Sequence, residues 1–372
     1  MNGILDEIEL FCKKEVVPYL SSTKGQPDYP ASILRKMGEI GLFGINIPEE
    51  FGGSKLPISL NLQVNRIISK YWLALPALYG THLRANQYFL ELGTAEQKSN
   101  YLPQMASGES IVAHAYHEKA IKDPLKFRTQ ISEKDGKFFL SGTKEWVTNA
   151  RDCDFMIVVA RNLCANQPKK SMCSAVIIDK KMEGVSICDE HHRRGIEGVS
   201  LARVNFNNVH LDESSFIGGS KISALEFISS FRPISSLNFA ARCAGVAETL
   251  VEMTKPYLML DERNEEAKGV IYYKWSEIQM IKESISSYFE QAVVKNREGN
   301  LSKSDAHRTK VFCSQSLESL VSKVRMLCGG TGYASDDFLL VQQLNDAGSL
   351  SLIDTPNDIL LTWSGKDDLN GS

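Results

Sequence analysis

Trp146 and Thr148 are two side chains whose types and spacing suit the binding of a flat aromatic ligand. They lie two residues apart in a segment that predicts a β-strand, so both side chains face the same side of that strand. An indole offers stacking and a hydroxyl group offers a hydrogen bond, which are contacts that a flavin ring can use. The alternative is that both are ordinary half-buried strand residues, and the spacing alone leaves both interpretations open.

Two further features near the C-terminal end of the sequence have a chemical interpretation. Gly329, Gly330 and Gly332 form a loop whose backbone can approach a pyrophosphate closely, although a glycine cluster of this kind also simply ends a helix. Asp354, followed by Thr355 and a proline, is by its local sequence a solvated loop aspartate or a helix N-cap. If Asp354 is buried, we expect desolvation to raise the pKa of its carboxyl group toward the range that proton abstraction requires.

The elements that hold these residues follow in the order helical, β and helical. Apolar residues recur at helical spacing up to about Met105, and Thr94 with Gln97 gives the pattern of a capping box. Between about 111 and 217, short apolar or alternating runs are separated by turn residues, which predicts a small antiparallel β-domain. Long periodic stretches return from about Ser223 and predict a helical bundle. We therefore predict three domains, 1–110, 111–217 and 218–372.

The composition excludes several classes of function. The chain has 372 residues, 43% of them hydrophobic, and a net charge of −3, so it has no basic field with which to hold nucleic acid. It has no apolar run of about 18 residues, which argues against a membrane span, and its N-terminus lacks the apolar core of a signal peptide. None of the eight cysteines forms a Cys-x-x-Cys pair, so we expect reduced thiols, a cytoplasmic location and no metal site.

Six segments, in this order along the chain, resemble motifs of the acyl-CoA dehydrogenase family. They run from Gly41 to Gly53, Leu92 to Pro103, Gly142 to Ala150, Gly195 to Leu211, Cys328 to Asp336 and Asn345 to Leu360. The resemblance implies an α+β fold with an N-terminal helical domain, a middle antiparallel β-domain and a C-terminal four-helix bundle. It also implies FAD as cofactor, an acyl thioester as substrate and a homodimer or homotetramer.

The same resemblance implies roles for individual residues. Tyr116 or His117 falls in the segment that touches the flavin in the family, and Gln279 aligns with a glutamine that contacts FAD across the subunit interface. The glycine loop is the other element that reaches the neighbouring subunit's FAD in the family. The residues implied to bind FAD are Tyr116, Trp146, Thr148, Gln279, Gly329, Gly330, Gly332, Thr355 and Asn357.

For the catalytic base, the resemblance implies Asp354, which aligns with the family's commonest catalytic glutamate. Some members instead carry a glutamate immediately before an arginine that matches Arg232, but Phe231 stands there in this sequence. Asp354 is therefore the expected base, and Arg232 the residue expected to orient it. If Asp354 is not the base, His117 and Glu118 are the next candidates.

The sequence departs from the family in the loop after Tyr116, where the small, glycine-containing motif is missing. Lys119, Lys122 and Lys126 stand there instead, either as a solvated charged loop or as a basic rim for an acidic partner. An acyl carrier protein, which presents its acyl group on phosphopantetheine, is such a partner. We therefore slightly favour a carrier-bound substrate over a CoA ester.

The predicted function is FAD-dependent dehydrogenation of an acyl thioester. One alternative is a flavin oxidase or monooxygenase of the same fold, because nitroalkane oxidases of this superfamily also use an aspartate as base. A second alternative is a non-catalytic scaffold that has lost FAD. The acyl group and the electron acceptor, a transfer protein or oxygen, are left open.

Overall fold

The structure is a computed structural model that describes residues 2–23, 27–164, 173–190, 195–258, 264–330 and 338–370. Within these ranges, none of the helices combines the length and the apolar character that crossing a bilayer requires.

In the described part of the chain before the sheet, six stretches are α-helical, and a π-helical turn, Cys12–Val16, links the first two. Their bounds are α1 Asn2–Phe11, α2 Val17–Ser22, α3 Ala31–Glu39, α4 Ile58–Tyr71, α5 Ala74–Leu92 and α6 Ala95–Ser107. The capping box predicted for α6 is present, since the Thr94 hydroxyl accepts from the Gln97 N–H and the Gln97 side chain accepts from the Thr94 N–H. The Gln97 amide also donates to the carbonyl groups of Ser214 and Phe216, so the start of α6 is tied to the end of the β-domain.

A seven-stranded sheet follows. Its strands are β1 Val112–Ala115, β2 Gln130–Lys134, β3 Lys137–Thr148, β4 Phe155–Asn162, β5 Cys173–Asp179, β6 Val185–Glu190 and β7 Leu201–Leu211. The order is β1-β4-β2-β3-β7-β6, with β5 also paired to β4. Most pairs are antiparallel as predicted, but β4 pairs in parallel with both β1 and β2. All residues of β4 but one are buried, which is typical of a strand that is covered on both faces and agrees with its position inside the sheet.

Among the described residues that follow the sheet, five stretches are α-helical. They are α7 Leu225–Thr254, α8 Glu265–Arg297, α9 Lys303–Cys328, α10 Phe338–Ala347 and α11 Asn357–Asn370. The long helices α7, α8 and α9 pack side by side, and α11 lies along α9. One apolar core joins α7, α8 and α9 to α1, α3, α4 and α5, so the two helical regions share buried residues although the sheet separates them in sequence. The predicted order of a helical, a β and a second helical region is confirmed.

Candidate active site

A small, partly open cleft lies where α5, α7, the end of β1 and the segment before α11 meet. Its lining follows simple periodicities: two residues of α5 one turn apart, alternate residues at the end of β1, and a stripe of α7 at helical spacing. The lining residues are Arg84, Tyr88, His114, Tyr116, His117, Phe227, Ile228, Phe231, Arg232, Ser235, Asp354 and Thr355. The predicted base, its predicted partner and two predicted cofactor contacts therefore share one cleft.

Asp354 is held by two side chains from different helices. Its Oδ1 lies 3.3 Å from Nη1 of Arg84, and the Ser235 hydroxyl donates to its Oδ2 at 3.1 Å. Arg84 also donates to the Ser235 hydroxyl, so the three side chains form a closed triangle. Only 15% of the Asp354 side chain is exposed. Asp354 is thus a buried, paired carboxylate rather than a solvated N-cap.

The pKa of Asp354 is shifted downward, whereas we expected burial to shift it upward. Burial raises this pKa, but the cations of Arg84 and Lys310 together with His117 outweigh the desolvation and hold it well below its usual range. The expectation from burial alone was wrong because the sequence does not show which cations the fold places beside the carboxylate. Asp354 is therefore ionised at physiological pH.

Arg232 lies in the cleft but does not take the role that we expected. Its guanidinium group stacks over the Trp363 ring, with the central carbon 4.5 Å from the ring centroid. The arginine that pairs with Asp354 is Arg84, which the sequence gave no reason to select. Phe231 also lines the cleft, as expected for the alternative base position, and stacks on Phe227 with ring centroids 5.6 Å apart.

Three aromatic side chains after and within β1 form the opposite wall. The Tyr116 ring stacks on His114 at 5.8 Å, and the buried Tyr116 hydroxyl has no hydrogen-bond partner of ordinary geometry among the described residues. Burial raises the pKa of Tyr116 to about 12 and lowers the pKa of His117 to about 4. The His114 Nε2 lies 3.0 Å from the Tyr88 hydroxyl. His114 and His117 are therefore neutral at physiological pH. His114 was not selected from the sequence, because β1 is only four residues long and gives little periodic signal.

Glu118, the second alternative base, is engaged in an ion pair away from the cleft lining. Its carboxylate accepts from the Lys144 ammonium at 2.9 Å and from the backbone N–H groups of Arg128 and Thr129. Both charged side chains are almost fully buried, and the ammonium lies 3.6 Å from the centroid of the Phe127 ring. The pair fixes the segment that replaces the family's glycine loop, so Glu118 has a structural role there.

The predicted flavin contacts on β3 lie at its C-terminal end. A register shift between Lys144 and Val147 interrupts the pairing of β3 with β7, and Trp146 has a left-handed backbone with a φ of 57°. The Trp146 ring is 51% exposed, which is unusual for an indole, while Val147 between the two residues is buried. Trp146 is thus exposed and Thr148 half-buried on either side of Val147, and their common face toward a flavin stays a prediction because the irregular backbone at Trp146 interrupts simple strand alternation.

The remaining predicted cofactor residues lie elsewhere. Gln279 is in the middle of α8, and Gly329 follows α9 with a φ of 60°. Gly332 lies outside the described residues. Asn357 begins α11. Its side-chain Nδ2 donates to the Ser314 hydroxyl at 2.9 Å, and its side-chain Oδ1 is buried without a partner among the described residues. Gln279, Gly329 and Gly330 do not line the cleft.

Three family models match the chain along most of its length. They are the N-terminal, middle and C-terminal domains of acyl-CoA dehydrogenase, over residues 2–109, 118–209 and 233–366. The chain belongs to the acyl-CoA dehydrogenase family. An acyl-CoA dehydrogenase of Bacillus subtilis (strain 168) is 26% identical over 355 residues, which cover 94% of this chain and 92% of the relative. The chain is therefore an oxidoreductase of acyl thioesters.

Solved structures of two related proteins share the fold. The prolyl acyl carrier protein oxidase AnaB superposes with a TM-score of 0.85 at 19% identity, covering 98% of this chain and 97% of AnaB. The FAD complex of PigA superposes with a TM-score of 0.88 at 19% identity, covering 99% of this chain and 97% of PigA. These likenesses, together with the family models, confirm the predicted arrangement of helical, β and helical domains.

FAD is the cofactor of this family, and the residues of this chain fit it. A half-exposed indole, a neighbouring threonine hydroxyl and the side-chain oxygen of Asn357, which is buried without a partner among the described residues, are all groups that a bound flavin nucleotide can satisfy. Trp146, Thr148 and Tyr116 would hold the flavin, whose ring system would supply the acceptor for a hydride.

Proposed function

We propose that this protein is an FAD-dependent dehydrogenase in which Asp354 removes the α-proton of a thioester-bound acyl group. The supporting observation is a buried, ionised carboxylate in the cleft that also contains Tyr116. The α-carbon–hydrogen bond breaks, its proton passes to an oxygen of Asp354, and its electrons form the new double bond. Bound FAD supplies the acceptor for the hydride that leaves the adjacent atom.

Arg84 and Ser235 prepare Asp354 for this step. Their hydrogen bonds hold the two carboxylate oxygens in a defined direction, which lowers the entropic cost of reaching the α-proton. The same bonds keep the carboxylate ionised but also make it a weaker base. Proton transfer therefore requires an acidified α-position, and a thioester carbonyl provides one when it is polarised.

Anaerobic mixing with acyl thioesters tests the proposal directly. The purified protein should be yellow from bound oxidised flavin, and a cognate thioester should bleach that colour in a single turnover. A yellow protein that no acyl thioester reduces would contradict a dehydrogenase, while a colourless protein that cannot be loaded with FAD would support the scaffold alternative.

We propose that the substrate is carried by an acyl carrier protein. Lys119, Lys122 and Lys126 are exposed and follow directly after the cleft residues Tyr116 and His117. Lys122 is close enough to contribute to the lowered pKa of His117, so its positive charge lies near the cleft. The likeness to AnaB, itself a carrier-protein oxidase by name, is consistent with such a partner.

Reversing the charge of Lys119, Lys122 and Lys126 distinguishes a docking surface for a carrier protein from a merely solvated loop. Changing all three lysines to glutamate should raise the KM for a carrier-bound acyl group by about tenfold or more, and added salt should reduce the difference. The matched control changes three exposed lysines elsewhere to glutamate, namely Lys14, Lys134 and Lys137. A CoA or pantetheine ester that reacts as fast as the carrier-bound form would contradict the carrier proposal.

We also propose self-association through α8. An exposed apolar surface lies beside Gln279 on this helix, where Tyr272 is 54%, Tyr273 68% and Met280 69% exposed. A dimer or tetramer would cover this surface and bring Gln279 to a neighbouring subunit. Analytical ultracentrifugation of the FAD-loaded protein tests this, and a monomer that retains FAD fully would contradict it.

An oxidase remains the second candidate, because the base here is an aspartate, as in the nitroalkane oxidases, rather than the commoner glutamate. Oxygen uptake with stoichiometric peroxide release, without an added electron acceptor, would favour the oxidase. Turnover that depends on an electron-transfer protein would favour the dehydrogenase.

A further inference from the structure

Lys310 on α9 is a fully buried lysine that contacts the backbone on both sides of Asp354. Its ammonium donates to the Ile353 carbonyl at 2.9 Å and to the Thr355 carbonyl. The lysine side chain has no exposed surface, and the ammonium lies 5.0 Å from the centroid of the Phe239 ring. Burying an ammonium group costs several kcal/mol unless polar groups replace its water, and here two carbonyl oxygens do so.

The backbone between these two carbonyls has an unusual conformation. Asp354 has a φ of 67°, in the left-handed region that aspartate tolerates better than most residues but still adopts seldom. Contacts on both sides of the residue help to hold the backbone in this conformation. Four residues beyond Lys310 on the same face of α9, the Ser314 hydroxyl accepts from the Asn357 amide at 2.9 Å. Helix α9 thus anchors the segment at two points.

We propose that Lys310 is a positioning residue for catalysis, which fixes the turn around Asp354 so that its carboxylate points at the reacting carbon. The inference rests on the proposed role of Asp354 as base. Lys310 touches the main chain on either side of the base and acts through it. Helix α9 thereby becomes part of the catalytic apparatus, although Lys310 does not line the cleft.

The ammonium also contributes charge to this region. Lys310 and Arg84 both help to keep Asp354 ionised, and Asp354 in turn opposes the effect of burial, which lowers the pKa of Lys310. The titratable and charged groups that surround Asp354 come from four elements. They are Arg84 and Tyr88 on α5, His114 on β1 with Tyr116 and His117 after it, Arg232 and Arg242 on α7, and His307 and Lys310 on α9.

The test compares Lys310→Met with Lys303→Met, which removes an exposed lysine from the first turn of the same helix. Both are loaded with FAD and measured by single-turnover flavin reduction. We expect Lys310→Met to slow reduction by about 10- to 100-fold with the KM changed by less than about threefold, because misplaced catalytic groups mainly reduce the chemical step. Lys303→Met should match the wild type.

Two further readouts separate positioning from a merely structural role. In an Asp354→Asn background, Lys310→Met should slow reduction by less than about threefold more, because the residue it positions has already lost its function. Loss of the cation should also raise the pKa of Asp354 and move any acidic limb of the rate profile to higher pH. A wild-type rate in Lys310→Met, or a rate loss that is fully additive with Asp354→Asn, would overturn the inference.

If Lys310→Met does not fold, Lys310→Gln keeps a donor that is one atom shorter and is judged by the same criteria. A crystal structure of the folded variant supplies the readout that is independent of activity. A changed backbone at 353–355 supports the inference, and an unchanged backbone overturns it. If instead Asp354→Asn alone reduces flavin at the wild-type rate, the proposed function of Asp354 fails, whichever backbone the crystal structure shows.

Discussion

Replacing Asp354 with asparagine is the most informative single change to this protein. Asparagine keeps the size of the side chain and an oxygen that can accept from Ser235, but it cannot take a proton from carbon. General-base catalysis contributes about 10²–10⁴-fold in rate, equivalent to roughly 3–5 kcal/mol of activation free energy. Flavin reduction in a stopped-flow single turnover should slow by that factor while FAD remains bound.

The structure also gives the cost in stability. Arg84 loses the anionic partner of a charge-assisted hydrogen bond, which typically contributes about 1.5–3 kcal/mol. Because the folded-state pKa of Asp354 lies below its unfolded value of about 4, this contribution is complete above that pH and is lost as the pH falls through the folded-state pKa. Chemical denaturation should therefore show a difference between wild type and Asp354→Asn that is constant from about pH 6 to 8.

Ser235→Ala is the matched control for this experiment. It removes one hydrogen bond to the carboxylate, about 0.5–1.5 kcal/mol, but leaves the base in place, so we expect a loss of only about two- to tenfold. Asp354→Glu should retain partial activity, since it restores the family's commoner residue at a longer reach. If Asp354→Asn slows flavin reduction by less than about threefold, the base lies elsewhere. His117 would be tested next, because Glu118 is already bound to Lys144.

Three other perturbations follow from the structure. Replacing Trp146 and Thr148 together with alanine should weaken FAD binding by about tenfold or shift the flavin spectrum without unfolding the protein, and an unchanged spectrum and activity would place both residues away from the ring. Phe227→Ala should admit longer acyl chains, measured as a rise in kcat/KM relative to a short chain, because Phe227 packs edge-on against Tyr88 at 4.4 Å in the cleft wall. Burial lowers the pKa of His82 to about 4 from an ordinary value of 6.5. The free energy of unfolding should therefore decrease as the pH falls from 6.5 to about 4, and His82 should account for about 3 kcal/mol of this decrease. His82→Gln should reduce that loss in denaturation curves compared at pH 7.5 and 5, and an identical loss would show that His82 is not the group responsible.

Much of the fold could be predicted from the sequence because its periodicities are local. The helical spacing of the N-terminal apolar residues, the capping box at Thr94 and the short strands around Phe155 and Ala202 all lie where they were expected. The parallel pairing of β4 with β1 and β2 could not be predicted in this way. Strand alternation reports which face of a strand is buried, but it does not report which neighbour the strand chooses.

The candidate site was only partly predictable, for a related reason. Tyr116, Arg232, Asp354 and Thr355 were found through the family resemblance, and the structure brings all four into one cleft. Arg84 was missed because 270 residues separate it from Asp354, and nothing in the local sequence of α5 marks it. Helix α5 also carries His82, Asn86 and Glu91, so the charge of Arg84 does not single it out in the sequence.

The direction of the Asp354 pKa shows how such long-range contacts change a chemical conclusion. Burial alone makes an aspartate a stronger base, and two cations beside it make the same residue a weaker one. Proton abstraction by an aspartate with a low pKa is effective only if the substrate's α-proton is itself made acidic in the complex. Activation must then come chiefly from polarisation of the thioester carbonyl, with Arg84 and Lys310 serving to aim the base rather than to strengthen it. This division of roles explains why the carboxylate here is held more firmly than a freely moving general base needs to be.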